Sequence, residues 1–261
     1  MAAELQTPTL RIDESEMEYA KLVMEPLEAG FGTTIEEGRE RIEESEDLLV
    51  KAWTANSLRH EGKHWKAVIP QMRPTPYQKP HPPLVRAVLS EDSVRAMAAQ
   101  GRPILMGGLG GPEIMDRVNI YRSAMSASGF SDEEVEGAVD NIWTWMGAWV
   151  APTSAEARER VEEGYRREQK HSTNARHTLN PLVGGDKGPN PADFEDRFDK
   201  AYMVGTPDQV AEQLIELQSS GVPNVMLKLN TGQMDPEVVS SMMRLFGEKV
   251  LPRVRQEGNR T

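Results

Sequence analysis

Short apolar runs recur along this chain, and each leads into a helix-opening signature with no tight hairpin signal between them. That order restricts the fold more than any other feature. Leu84–Leu89 leads into Ser90-Glu91-Asp92-Ser93, and Pro103–Met106 leads into Gly107-Gly108-Leu109-Gly110-Gly111. Ile142–Val150 precedes a charged helix from Ser154, and Val225–Leu229 precedes a last helix carrying Val238, Val239, Met242, Leu245 and Phe246, which is expected to stop near Pro252. Strands separated by helices pair in parallel, because a parallel partner needs a long crossover where an antiparallel one needs only a turn. The expectation is an α/β fold with about four parallel strands and crossover helices. Leu84–Leu89 is apolar enough for a strand buried on both faces.

The intervening stretches have their own signals. Residues 1–28 read as a polar arm with a short helix around Met17–Met24, and 29–261 as the folded domain. Thr34 and Glu37 have capping-box spacing and open a helix to about Trp53, with Ile35, Ile42 and Leu49 on one stripe. From Asn56 to Pro83 the six prolines at 70, 74, 76, 80, 82 and 83 read as an extended connection. Ile114, Val118, Tyr121 and Met125 have helical spacing, and Thr206-Pro207-Asp208 opens another helix. The polar, Gly- and Pro-rich stretch His171–Asp199 reads as a lid-like loop.

Composition excludes several functions. With 30 Lys+Arg against 41 Asp+Glu, the net charge of −11 disfavours nucleic acid and anionic membrane as partners. The absence of cysteine rules out disulfides, thiolate nucleophiles and thiolate-bound metals. No apolar run reaches the roughly 20 residues that cross a bilayer, and the first residues lack the marks of a secretory signal, so a cytoplasmic location is expected.

Four groups of residues are of chemical interest. Ser90 to Ser93 follows a strand and opens a helix, where outward-pointing amides suit a phosphate; simple capping by Ser90 fits the same spacing. The loop Gly107–Gly111 has neither the lysine of a phosphate-binding P-loop nor the GxGxxG pattern, which leaves a flexible turn. His60 and His64 are four apart, but Gly62 argues against the helix that a metal pair would need, so no metal site is assigned. His81 lies among prolines at the strand entry, while His171 and His177 lie beside the expected lid. Trp143, Trp145 and Trp149 alternate and so share one face, a pattern more typical of core than of a cofactor box.

Four stretches, in order, resemble the bacterial luciferase-like flavin-dependent monooxygenases. They are the helix from Ile35 with HEGKHW at His60–Trp65, RPTPYQKPHPPLVRAVLSEDSVRAMAAQG at Arg73–Gly101, AYMVGTPDQVAEQLIELQSSGVPNVMLKLN at Ala201–Asn230, and SSMMRLFGEKVLPRVR at Ser240–Arg255. The resemblance implies a luciferase-like (β/α) barrel in incomplete form, its C-terminal half, because the units carrying the first four strands have no counterpart. It implies reduced FMN, or a deazaflavin, used with dioxygen on a small organic substrate. Ser90, Glu91 and Ser93 would hold the flavin phosphate, largely through backbone, and Met106 and Gly107 would pass close to the ring. No catalytic residue carries over, because the histidine usual in the family belongs to an early strand. An open half barrel favours association, so a homo- or hetero-oligomer is implied. The alternatives are a non-catalytic flavin-binding or scaffold subunit and an incomplete gene product.

Overall fold

The structure, a computed structural model, describes residues 33–107, 109–183 and 194–258. These fall into two compact units, one within 85–174 and 189–261 and the other within 13–84 and 175–188. The expected N-terminal arm and its short helix lie outside the described residues.

In the unit containing residues 33–84, helix α1 spans Ile35–Thr54, and Thr34 caps it by accepting the Glu37 amide at 3.2 Å. Strands β1 (Leu58–Glu61) and β2 (Lys66–Ile69) form an antiparallel hairpin with Leu58 opposite Ile69 and Glu61 opposite Lys66. This corrects the reading of Asn56–Pro83 as extended connection throughout. The hairpin lacks the usual two-residue turn signal because a glutamate from α1, Glu44, organises its turn instead. The extended, proline-rich part begins only at Pro70. Within it, His81 stacks on Trp53 at 6.0 Å between ring centroids.

The other unit is α/β. Its elements are β3 (Arg86–Ala87), α2 (Glu91–Ala98), β4 (Ile104–Gly107), α3 (Gly111–Ala127), α4 (Asp132–Val139), β5 (Trp143–Val150) and, up to residue 174, α5 (Ser154–Val183). They continue with α6 (Phe194–Ala201), β6 (Tyr202–Gly205), α7 (Pro207–Ser219), β7 (Asn224–Lys228), α8 (Pro236–Leu245), a π-helical turn over Phe246–Val250, and α9 (Leu251–Gly258). The five strands pair only in parallel, as the helical crossovers require. β5 is central: β4 pairs with Trp143–Trp145 and β7 with Trp143–Gly147. Gly147 pairs with both Tyr202 and Lys228, so β6 lies opposite β7 and continues the β4 side beyond the end of β4. Among the described residues β3, β6 and β7 are each paired on one side only, and the sheet does not close into a ring.

Pleating separates the two faces. Ile104, Met106, Thr144 and Met146 face the helices and join Ile114, Val118, Tyr121 and Met125 of α3 in one core. Tyr121 donates its hydroxyl to the Arg102 carbonyl at 2.8 Å, and burial pushes that hydroxyl up to about 12. The opposite face carries Leu105, Gly107, Trp143, Trp145 and Met226. It is open: Leu89 is 64% exposed, Met226 42% and Trp143 39%. The expectation that Leu84–Leu89 is buried on both faces therefore fails on this side, where no described layer covers it.

Three further expectations change. No strand is expected before Thr206, yet the four residues of β6, too short to show alternation, fill the slot beside β5. The stretch His171–Asp199 is not a single loop, since α5 continues to Val183 and α6 covers Phe194–Ala201. Polar side chains do not bar a helix, and Pro181 removes only one amide donor near its end. Finally, helix persists past Pro252 to Gly258. In the preceding turn the Leu251 amide donates five residues back, to the Phe246 carbonyl, and the wider winding accommodates the proline.

Candidate functional site

Parallel α/β sheets place their chemistry at the carboxyl ends of the strands. Here that rim contains a cross-strand row fixed by register. Ala87 lies opposite Leu105, and the Val88 amide donates to the Leu105 carbonyl at 3.0 Å, which sets Leu89 level with Gly107. Gly107 pairs with Trp145, and Trp145 with Met226. Leu89, Gly107, Trp145 and Met226 thus form a shelf on the open face, with a notch where glycine lacks a side chain. A Cβ at Gly107 would lie 3.3 Å from Trp145 Cε3. Met106, one residue earlier, points the other way and is 2% exposed in the helix-facing core. It offers the shelf only its backbone.

Immediately after Leu89 the chain turns into α2. Ser90 caps the helix by accepting the Ser93 amide at 3.2 Å, and the two hydroxyls are 3.0 Å apart. The first amides of the helix have no carbonyl within it to bond, and they carry the positive end of its dipole. Glu91 turns its carboxylate along the helix to Arg95 at 3.4 Å, away from the turn. Asp92 buries its Oδ2 without a hydrogen-bond partner. The capping reading of Ser90 is therefore realised, and the geometry still leaves backbone amides and the Ser93 hydroxyl beside the shelf.

One cluster escaped the sequence reading. Lys228, at the end of β7, is held by both carboxylate oxygens of Glu168 on α5, at 2.8 and 2.7 Å, and its Nζ lies 5.6 Å from the Trp145 ring centroid. Tyr202 covers Gly147 on the same face and shares a hydrogen bond with Thr231 at 3.2 Å. Burial pushes the Tyr202 hydroxyl up to about 12, Thr231 opposes the shift, and Glu168 adds to it. Tyr202 is therefore a neutral wall at neutral pH. The signal for this cluster was weak, since a single lysine ending an apolar run reads as an ordinary strand terminus.

The remaining candidates lie elsewhere. His60 and His64 sit on the hairpin, and no group of three or more ligating side chains that could hold a metal occurs among the described residues. The His171 side chain is exposed on α5, and that of His177 lies outside the described residues, as does Gly108. Trp149 is core, whereas Trp143 and Trp145 form part of the open face. A cavity of about 360 Å³, lined by Gly111, Met115, Met146, Lys200, Met203 and Leu217 among others, does not include the shelf residues. No described helix is long and apolar enough to cross a membrane.

The same fold occurs in solved structures. Monooxygenase RslO1 from Streptomyces bottropensis superposes with a TM-score of 0.64 at 23% identity, covering 86% of this chain and 64% of RslO1. The oxygenating constituent of 3,6-diketocamphane monooxygenase from Pseudomonas putida, in complex with FMN, gives 0.58 at 20% identity, with 83% and 63% covered. A coenzyme F420-dependent tetrahydromethanopterin reductase from Methanopyrus kandleri gives 0.54 at 14% identity, with 82% and 62% covered. The chain thus spans under two thirds of the length of these neighbours. No curated protein matches it. The family model for luciferase-like monooxygenases matches residues 24–224, across the hairpin, the Ser90 turn and strands β3 to β6. By that match and by this parallel sheet, the chain belongs to the luciferase-like monooxygenase family.

Proposed function

We propose that this chain is the flavin-holding part of a luciferase-type monooxygenase that uses reduced FMN and dioxygen on a small organic substrate. Further strands, from additional polypeptide or another copy, would complete the barrel. The observation that carries this reading is the continuity of the shelf with a helix N-terminus. Leu89, Gly107, Trp145 and Met226 offer a flat apolar surface, and Ser90 to Ser93 follows directly with amides and a hydroxyl suited to a phosphate. A planar ring bearing a phosphate tail fits such a pair of features. A deazaflavin has the same ring-and-phosphate character and remains the alternative cofactor.

When bound, reduced flavin supplies the electrons for activating dioxygen, which no side chain here can do. The chain's own residues bind and orient. The Ser90–Ser93 turn holds the phosphate by backbone, and Glu91 contributes its amide while its carboxylate stays with Arg95. Gly107 lets the backbone approach the ring closely, and Trp145 shields one side from water. Met106, buried in the helix-facing core, supports β4 from behind and would offer the ring no side chain. Lys228 is anchored by Glu168, and the group that handles protons in catalysis would come from the strands that complete the site.

That last point favours one second reading, a non-catalytic flavin-holding subunit. The test for both is flavin binding by the purified chain, read as quenching of flavin fluorescence, alone and with candidate completing polypeptides. Binding is expected, weakened by Ser93→Ala and abolished by Gly107→Leu. Failure to bind in every assembly overturns both readings, and oxidation of an organic substrate by a completed assembly selects the enzyme.

A further inference from the structure

The turn of the β1–β2 hairpin holds two histidines against two glutamates of α1, and none of the four belongs to the site described above. His60 Nε2 lies 3.0 Å from Glu44 Oε1, and His64 Nε2 lies 3.1 Å from Glu40 Oε2. The histidine side chains are only 10% and 7% exposed, so solvent is a poor substitute for either glutamate. Glu44 also accepts the backbone amides of His64 at 2.9 Å and Trp65 at 2.8 Å. The Trp65 indole donates to the Arg41 carbonyl at 3.2 Å, with the Arg41 guanidinium 5.9 Å above the ring. Gly62 is required at the apex, where a Cβ would lie 1.8 Å from Glu44 Oε1 and 2.5 Å from His60 Nε2.

The other charged groups in this contact already have partners. On α1, Glu37 pairs with Arg41; on the hairpin, Arg59 pairs with Glu61 and Lys63 with Glu40. Partial burial alone would raise the Glu44 carboxyl. The hydrogen bonds from His60 and from the His64 and Trp65 amides outweigh it and hold that carboxyl at about 2. Glu40 is also lowered, first by Lys63 and then by His64. Both carboxylates stay ionised across the range in which imidazoles change charge.

We propose that this turn is an acid-tightened clasp. Protonation of His60 and His64 adds a positive charge to two hydrogen bonds already made to ionised carboxylates, which turns them into ion pairs and locks the hairpin onto α1, and loss of those protons loosens it. The added charge brings Coulombic attraction to each hydrogen bond, and the near-burial of both imidazoles limits its screening. The clasp anchors the start of the proline-rich connection that leads in sequence to β3 and Ser90, so its state sets how firmly that connection is tethered.

Hydrogen exchange of the full chain tests this, because the His64 and Trp65 amides report directly on contact with Glu44. After correction for intrinsic exchange, their protection should rise about threefold or more between about pH 8 and about pH 5.5, on either side of the imidazole range. The double variant His60→Gln/His64→Gln keeps an amide donor at each position but cannot titrate, and should be equally protected at both. Unchanged or lower protection of the native chain at the acid end overturns the proposal, whether or not the variant folds. A rise that persists in a folded double variant also overturns it, since the titrating groups would then be others.

Discussion

Gly147 and Gly107 show how single positions shape the open face. A Cβ at Gly147 would lie 2.2 Å from Tyr202 Cδ1, inside the ring that covers it. Gly147→Ala should therefore destabilise the chain by about 1–3 kcal/mol, as overpacking does, and urea unfolding would measure it. Gly107→Ala meets Trp145 at 3.3 Å, a milder contact. It should change stability little while weakening flavin binding, and comparing a melt with a binding titration separates the two. Glu44 makes a pH prediction with a definite sign. Its carboxyl is held at about 2 against an ordinary 4.5, so its contribution to stability is full above 4.5 and drains away as acidity approaches pH 2. Glu44→Gln should flatten that acid limb, as followed by circular dichroism at fixed temperature. The shelf was only half legible at this scale. The resemblance implied that Met106 and Gly107 both pass close to a flavin ring; Gly107 lies on the open shelf and the Met106 side chain in the opposite, helix-facing core, because sequence alone does not say which face a strand residue takes. Lys228 and Glu168 were missed because 60 positions separate them, and only the fold brings them to 2.7 Å.

Local chemistry fixed the helix starts. Thr34, Ser90, Ser131 and Thr206 each accept the amide three residues on. Ser90→Ala should cost about 1 kcal/mol through loss of this cap, with Ser90→Gly costing only a few tenths, in thermal or urea melts. The elements that eluded the sequence are those whose existence depends on a remote partner. The β1–β2 hairpin turns around Glu44, far earlier in the chain, and β6 exists because the end of β5 leaves a vacant side beyond Gly107. The long α5 was expected to end near Lys170, since its polar continuation has no apolar stripe to announce a helix. Its first half is fixed by tertiary contact. Tyr165 packs with Phe198 and Tyr202 at 5.5 and 5.4 Å, and Arg167 donates to the Gly232 and Gln233 carbonyls.

For the whole molecule, the open face of the sheet is the feature with consequences. Met226 lies on it and is 42% exposed, while Met243 on α8 is 50% exposed. In the isolated chain, dilute peroxide should oxidise the two at comparable rates, read by peptide mass. In an assembly that completes the barrel, Met226 should become several-fold slower relative to Met243. Equal rates there would mean that the face remains uncovered. The order of apolar runs and helix signals pointed to a parallel α/β sheet, because a parallel partner needs a long crossover and each run is followed by a helix that supplies one. The caps determined where helices begin, because each cap is satisfied within four residues. Tertiary structure alone decided which side of each strand meets the helices, how Leu89, Gly107, Trp145 and Met226 align, and that Glu168 reaches Lys228. Those outcomes depend on register and on contacts between residues far apart in the chain, and local pattern carries no information about either.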